Sequence, residues 1–265
     1  MVNLIGHGFI GSHYARMFPC VVNERNDLRP QGQEVLYTIS TTDNYNIRVN
    51  PYIDIETNLI TLVHALEKCR GQDIVFNFAS SWFVYGNAPA PYTEDSYCDP
   101  EGFYSITKRT AEQLLISYCD AYNLRYRILR FANVVGPGDR GVGTKKNVLT
   151  YLIRRIKNNE NIELLDGGNF WRDYIHVEDL CRATNLIIEH GEHNAIYNVG
   201  NGTPTRLRDA IDYAIVKTNS TSEIAEKSSG RIPERKHMDV SRLFELGYEP
   251  AWSLERTLDD LIQRG

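Results

Sequence analysis

Apolar positions along this chain follow two alternating rhythms. Short buried-type runs, rich in β-branched and aromatic residues, stand at Val2–Ile5, 20–24, 34–40, 73–79, Arg125–Phe131 and 196–200. Between them apolar residues recur at helical spacing, over 12–18, 53–69 (Leu59, Leu62, Val63, Leu66), Phe103–Tyr122 and Val177–His190. Buried strands alternating with helices predict right-handed β-α-β crossovers. The fold class expected is therefore α/β, a doubly wound parallel sheet with helices on both faces.

After Gly136-Pro137-Gly138 the pattern loosens. Helical spacing returns over Val148–Lys157, 207–217 and 254–263. A short apolar run at 161–165 ends in the turn Asp166-Gly167-Gly168. Residues 218–229 are polar and without period, and read as a mobile surface segment. No internal repeat or low-complexity tract is visible.

Length fits one large α/β domain or a main domain with a small lobe: 265 residues. A net charge of −5 gives no nucleic-acid footprint at whole-chain level. Basic residues cluster locally at Lys145-Lys146, read as a solvated face, and between Arg231 and Lys236. Five cysteines are scattered, with no Cys-x-x-Cys pair, so neither a metal site nor a disulfide framework is supported. Free thiols, no signal peptide and no membrane-length apolar run together predict a cytoplasmic protein that engages neither membrane nor nucleic acid.

The first candidate chemistry is Gly6-His7-Gly8-Phe9-Ile10-Gly11, between the first strand and the first helix. In that context the first glycine permits a sharp turn. The second lets the backbone approach a pyrophosphate, and the third lets helix and strand pack closely. Gly6, Gly8, Phe9, Ile10 and Gly11 thus form a candidate dinucleotide-binding turn. Glu24, after the second run, fits the acid that accepts from ribose hydroxyls and points to NAD. Arg25 follows at once and would suit the 2′-phosphate of NADP.

The second is Tyr104 and Lys108, four residues apart at the start of a predicted helix. One helical turn puts phenol and ammonium on one face. A nearby ammonium lowers a tyrosine pKa from about 10 toward the range of a general base. With the glycine turn and a strand ending in Ser80-Ser81, the pair points to hydride chemistry on an alcohol or ketone.

At these residues the chain resembles an extended short-chain dehydrogenase/reductase, of the NAD-dependent nucleotide-sugar epimerase/dehydratase group typified by UDP-glucose 4-epimerase. Ser80-Ser81-Trp82-Phe83-Val84-Tyr85-Gly86 is similar to that family's Ser-Ser-x-x-Val-Tyr-Gly. The stretch from Ile128 to Pro137, Arg172-Asp173-Tyr174-Ile175-His176-Val177-Glu178-Asp179, Tyr197-Asn198-Val199-Gly200 and Leu246-Gly247-Tyr248-x-Pro250 match further motifs in the family's order.

The resemblance implies a Rossmann-type core over 1–135 and a small, mainly substrate-binding lobe over 136–265, with 173–200 returning to the core. It also implies roles. Ser81 is the catalytic serine, Tyr104 the base, and Lys108 the residue that holds the nicotinamide ribose. Asn58 lies near the cofactor, and Thr38 and Ser40 are polar cofactor contacts. Asn133 binds the sugar or pyrophosphate. Arg172, with Arg231, pairs with the diphosphate of a nucleotide-diphosphate sugar. His176 is structural. A homodimer through the helices at 53–69 and Phe103–Tyr122 is expected, because Leu114, Leu115, Ile116 and Tyr118 cover more than one face.

Three departures shape the expectation. Ile5 stands where the family turn carries its first glycine. The segment between Glu24 and Glu34 is too short for another strand and helix, so the adenine half of the sheet is expected to lack an edge strand and the adenine pocket a wall. Thr38-Ile39-Ser40-Thr41-Thr42 replaces the family's small residues. The family's dehydratases carry Asp-Glu after the catalytic residue. Trp82-Phe83 stands there and cannot do that acid–base work. The expected reaction is epimerisation of a nucleotide sugar by transient oxidation and re-reduction. Keto-sugar reduction is the rival within the family, and a non-catalytic dinucleotide sensor the rival from another class. Sensors commonly lose the tyrosine or lysine; this chain keeps both.

Overall fold

The chain runs β1 (Val2–Ile5), α1 (Phe9–Met17), β2 (Cys20–Val22), β3 (Glu34–Tyr37), α2 (Tyr52–Ile55), α3 (Thr61–Cys69), β4 (Val75–Ser81), α4 (Phe103–Tyr122), β5 (Arg125–Phe131), β6 (Asn133–Val135), α5 (Val148–Lys157), β7 (Ile162–Leu165), β8 (Trp171–His176), α6 (Val177–His190), β9 (Ala195–Val199), β10 (Pro204–Arg206), α7 (Leu207–Thr218), β11 (Ile224–Lys227), β12 (Arg235–Lys236), α8 (Ser241–Glu245) and α9 (Leu254–Arg264). It is seen in a computed structural model that describes residues 1–24, 26–41, 46–139, 147–230 and 235–264.

Six strands form one parallel sheet in the order β2-β1-β3-β4-β5-β9. Alternate residues of each strand feed opposite faces, as the period of two requires. Leu4, Leu36 and Leu129 pack with Tyr14 of α1 and Leu180 and Ile187 of α6. Ile5, Val35 and Ile128 pack on the other face with Leu62 and Leu66 of α3 and Leu115 of α4. The sheet is therefore doubly wound, as the sequence pattern predicts. Its order reverses between β1 and β3, so a crevice opens at their carboxyl ends, where Gly6 turns the chain.

A third core lies apart from this sheet. Leu149, Leu152, Ile153 and Ile156 of α5 meet Leu207 and Ile211 of α7, Leu258 and Leu261 of α9, and Ile162 and Leu164 of β7. Two small sheets accompany it. One pairs β8 with β6, β10 and β12, and the other joins β11 to β7.

Between β2 and β3, residues 26–33 contain no strand, so the sheet ends at β2 on this side. Side chains of two asparagines hold the short connection down. The Asn3 amide donates to the Val21 carbonyl at 3.1 Å and to the Asn23 side-chain oxygen at 2.6 Å. Asn23 donates to the carbonyls of Asp27 and Arg29, and the Gln31 N–H returns to Asn3 Oδ1 at 3.0 Å. Both asparagines are buried, and these bonds satisfy groups that burial would otherwise leave costly.

Three expectations need correction. Residues 218–229 are not patternless: β11 pairs in parallel with β7, Ile224 opposite Ile162. Three of its four residues are exposed, so no apolar alternation marks it. The helix expected over 53–69 is interrupted by a π turn at Glu56–Ile60 between α2 and α3. The strand expected over 73–79 starts at Val75 and runs through Ser81, pairing Ser80 with Arg130 and Ser81 with Phe131. Among the described residues no helix is long and apolar enough to cross a membrane.

Candidate functional site

The glycine turn is built for close backbone approach. Gly6 has φ +113°, and a Cβ there would meet Thr38 Oγ1 at 2.7 Å and the Ile39 nitrogen at 2.8 Å. A Cβ on Gly11 would overlap the Gly6 carbonyl oxygen, so α1 can sit this near β1 only without one. Thr38 locks the turn by donating to the Gly6 carbonyl at 2.6 Å. Gly8, by contrast, faces open space, with nothing within 4 Å of a Cβ, and no side chain caps α1. The free N–H groups at the start of α1, flanked by Phe9 and Ile10, suit an anionic pyrophosphate. Glu24 is exposed just beyond β2, at the same end of the sheet. These residues fit a dinucleotide.

Beside this turn, β4 ends in Ser81, which caps a short 3-10 turn (Trp82–Tyr85) by accepting from the Phe83 N–H at 3.3 Å. Tyr104, in the first turn of α4, is buried against it. Burial raises the Tyr104 phenol above its ordinary pKa. The nearby Ser81 and Ser40 hydroxyls pull it back, and the Asp54 carboxylate pushes it up again. Lys108, one turn on, donates to the Ala79 carbonyl at 2.6 Å and lies over the Phe78 ring. Burial lowers Lys108 to about 7, with the Glu112 carboxylate opposing the shift. The expected lowering of the phenol by the ammonium is thus not the dominant effect at Tyr104. Burial of the phenol outweighs the attraction of a neighbouring charge.

Glu112 follows Lys108 by another turn and was not singled out from the sequence. It is fully buried and receives Arg130 through Nε at 3.0 Å and Nη2 at 2.8 Å, Ser80 Oγ at 2.6 Å and Arg109 at 2.8 Å. Burial pushes its carboxyl up, but the Arg130 bonds and charge, with Ser80 and Arg109, hold it below the usual range. A carboxylate on the apolar face of α4, and an arginine inside an apolar strand, are the signals that mark this pair.

Asn58 sits in the π turn, a feature often found at functional sites. It accepts from the Thr41 N–H and Ser40 Oγ and donates to Thr41 Oγ1 and Thr107 Oγ1. Its amide therefore fastens the end of β3 to α4. Asp54, one turn earlier and also missed, is buried; Oδ1 accepts from Thr41 and Asn46, while Oδ2 has no hydrogen-bond partner among the described residues.

Asn133 donates to the Asp173 carbonyl at 2.9 Å, which pins β6 to β8. Arg172 is half-buried, donates to the Trp171 carbonyl, and lies over the rings of Phe170 at 5.0 Å and Trp82 at 5.7 Å. The Asp173 carboxyl accepts from the N–H groups of Asn201 and Gly202, and burial pushes it up to about 6. His176 caps α6 by accepting from the Glu178 N–H, and stacks on Trp252 at 3.7 Å. Arg231, Arg25, Thr42, Lys145 and Lys146 lie outside the described residues.

The structure thus gathers Ser40, Ser81, Tyr104 and Lys108 at the carboxyl ends of β3 and β4, next to the glycine turn. The sequence profile of the NAD dependent epimerase/dehydratase family matches residues 31–200. The chain belongs to that family. NAD is the family's cofactor, and the glycine turn precedes the matched stretch. The chain is 30% identical over 194 residues to a dTDP-4-dehydro-6-deoxyglucose reductase of Escherichia coli, covering 70% of this chain and 60% of that protein. It is 29% identical over 183 residues to the low-salt glycan biosynthesis protein Agl12 of Haloferax volcanii, covering 68% and 57%. The matched part thus spans less than two thirds of either relative. Among solved structures, UDP-glucose 4-epimerase of Thermotoga maritima with UDP-glucose superposes with a TM-score of 0.86 at 25% identity, over 99% of this chain and 97% of that one.

Proposed function

We propose that this member of the NAD dependent epimerase/dehydratase family inverts a hydroxyl-bearing carbon of a nucleotide-diphosphate sugar by transient oxidation and re-reduction. The observation that carries the reading is the meeting of Ser81 and Tyr104 beside the glycine turn, with aromatic rather than acidic residues after Ser81. Tyr104 takes the proton from the sugar hydroxyl as the carbon is oxidised, and returns it on reduction. Ser81 hydrogen-bonds the oxygen as its charge changes. NAD, when bound, accepts and returns the hydride. The N–H groups after Gly8 hold its pyrophosphate, Glu24 meets the adenosine ribose, and Lys108 orients the nicotinamide ribose. Asn58 fixes the Ser40–Thr41 stretch against α4. Arg172, joined by Arg231, holds the sugar diphosphate. None of these steps calls on a carboxylate next to Ser81.

Reduction of a nucleotide keto-sugar is the second reading. Burial favours the protonated phenol of Tyr104, the state that donates to a carbonyl oxygen, and one relative is a keto-sugar reductase by name.

Exposed apolar residues on neighbouring helices, Tyr52, Ile53 and Ile60 beside Ile106, Leu114 and Tyr122, support a homodimer through α2–α3 and α4. Five unpaired cysteines support a reducing, cytoplasmic setting. The separate third core supports a division near residue 135.

The deciding assay incubates the protein with NAD and UDP-glucose or dTDP-glucose, and separately with NADPH and dTDP-4-keto-6-deoxyglucose. Epimer formation without net absorbance change at 340 nm is expected. Stoichiometric loss of NADPH would favour the reductase, and no turnover in either arm would sink both readings.

A further inference from the structure

Two aromatic rings in series join the proton-transfer pair to Arg172. Phe83 meets the Tyr104 ring edge-on, with centroids 5.9 Å apart at 85°. Phe83 stacks on Trp82 at 4.4 Å. Trp82 in turn faces the Arg172 guanidinium at 5.7 Å, and Phe170 lies 5.0 Å from the same group. A ligand whose reacting carbon sits at Tyr104 and whose diphosphate sits at Arg172 runs past Phe83, the half-buried ring of the two, with Trp82 buried behind it. Its middle portion is the sugar. A pyranose presents C–H groups on its faces, which pack well on an aromatic wall. A sugar carboxylate would meet the negative faces of the rings and lose water without gaining a donor from them.

We propose that Phe83 forms the wall of the sugar-ring subsite, that the buried Trp82 is a positioning residue for Phe83 and Arg172, and that the site takes nucleotide sugars with uncharged rings in preference to nucleotide uronates. The proposal rests on the nucleotide-sugar reading above and deepens it. Trp82 is the link between the two ends: its ring centroid lies 4.4 Å from that of Phe83 and 5.7 Å from the guanidinium. A cation held over a ring loses freedom before the diphosphate arrives, which strengthens binding more than chemistry.

The test uses the NAD-loaded protein with UDP-glucose and dTDP-glucose as substrates and UDP-glucuronate as competitor. Trp82→Ala should raise KM about tenfold while kcat falls no more than about threefold, the scale of one desolvated cation–π contact. Trp82→Phe should restore most of that loss. Phe170→Leu, on the other contact of Arg172, should raise KM about threefold and keeps the test alive if Trp82→Ala does not fold. NAD affinity should stay put in every variant. UDP-glucuronate should bind the wild-type protein at least about tenfold more weakly than the better of the two glucose nucleotides. Unchanged KM in Trp82→Ala and Phe170→Leu, or equal binding of the uronate, overturns the inference alone. A wild-type protein that turns over neither glucose nucleotide overturns the parent reading, and this one with it.

Discussion

The ammonium of Lys108 donates to the carbonyl oxygen of Ala79 at 2.6 Å, two residues before Ser81. This bond ties α4 to the end of β4, and so fixes Tyr104, one turn before the lysine, against the serine. The proton-transfer pair is therefore held by main chain and not only by its own contact. Tyr104→Phe, which keeps the ring and its packing on Phe83, should cut turnover about 10²–10⁴-fold and leave NAD affinity nearly intact. Steady-state kinetics with a cofactor titration check this; near-normal turnover removes Tyr104 from the chemistry.

The same lysine makes stability depend on pH. Burial holds it at about 7, against 10.5 when unfolded. Below pH 7 both states carry the proton, and the folded state bears the full burden of a buried charge. Between 7 and 10.5 the folded protein sheds its proton first, so this group's contribution to stability rises with pH, by up to about 1.4 kcal/mol per pH unit. Urea unfolding at pH 7 and pH 9 should show that rise flattened in Lys108→Met. Equal slopes in the two proteins would mean that Glu112 keeps Lys108 charged throughout.

Arg172→Ala should raise KM for the nucleotide sugar about tenfold or more, because it removes a charge-assisted contact to one ligand only. Cofactor affinity, read by fluorescence quenching on NAD titration, should move little. Equal losses for both ligands would assign Arg172 to the fold.

With no strand beyond β2 among the described residues, adenine should contribute less than the pyrophosphate and nicotinamide-ribose contacts. AMP should compete poorly with NAD, while nicotinamide mononucleotide should recover a large share of the binding free energy. AMP competing as strongly as NAD itself contradicts this.

The exposed residues of α2–α3 and α4 predict a dimer. Sedimentation at micromolar concentration should give twice the chain mass, and Leu114→Glu should shift it toward monomer. A monomeric wild-type protein counts against the interface.

Much of the frame was legible in the sequence for physical reasons. Val2–Ile5, Phe103–Tyr122, Arg125–Phe131, Val148–Lys157 and Val177–His190 have the bounds their apolar periods predict, because each buries a full face or stripe. β11 was illegible because an exposed edge strand needs no alternation. β8 carries a motif but no apolar period, since Arg172, Asp173 and His176 break its run although Asp173 and His176 are buried. The π turn leaves apolar spacing almost unchanged, so 53–69 read as one helix. At the site, helical spacing placed Tyr104 and Lys108 on one face. It could not reveal that the ammonium answers to Ala79, or that Thr38 and Asn58 spend their side chains on Gly6, Thr41 and Thr107. Those partners come from other strands and helices, and only the tertiary fold brings them within reach.

The clasp between Asn3 and Asn23 has a consequence for how this sheet can be lengthened. Both amides are committed to the 27–31 connection, and β3 pairs with β1 on its opposite side. The register around Gly6 is therefore set without reference to anything outside β2. A strand and helix spliced in between residues 26 and 33 would extend the sheet outward, and their removal would leave the Ser81–Tyr104 end where it is. The connection is a seam in the architecture: the length of chain on its outer side can vary while the reaction end of the sheet stays the same.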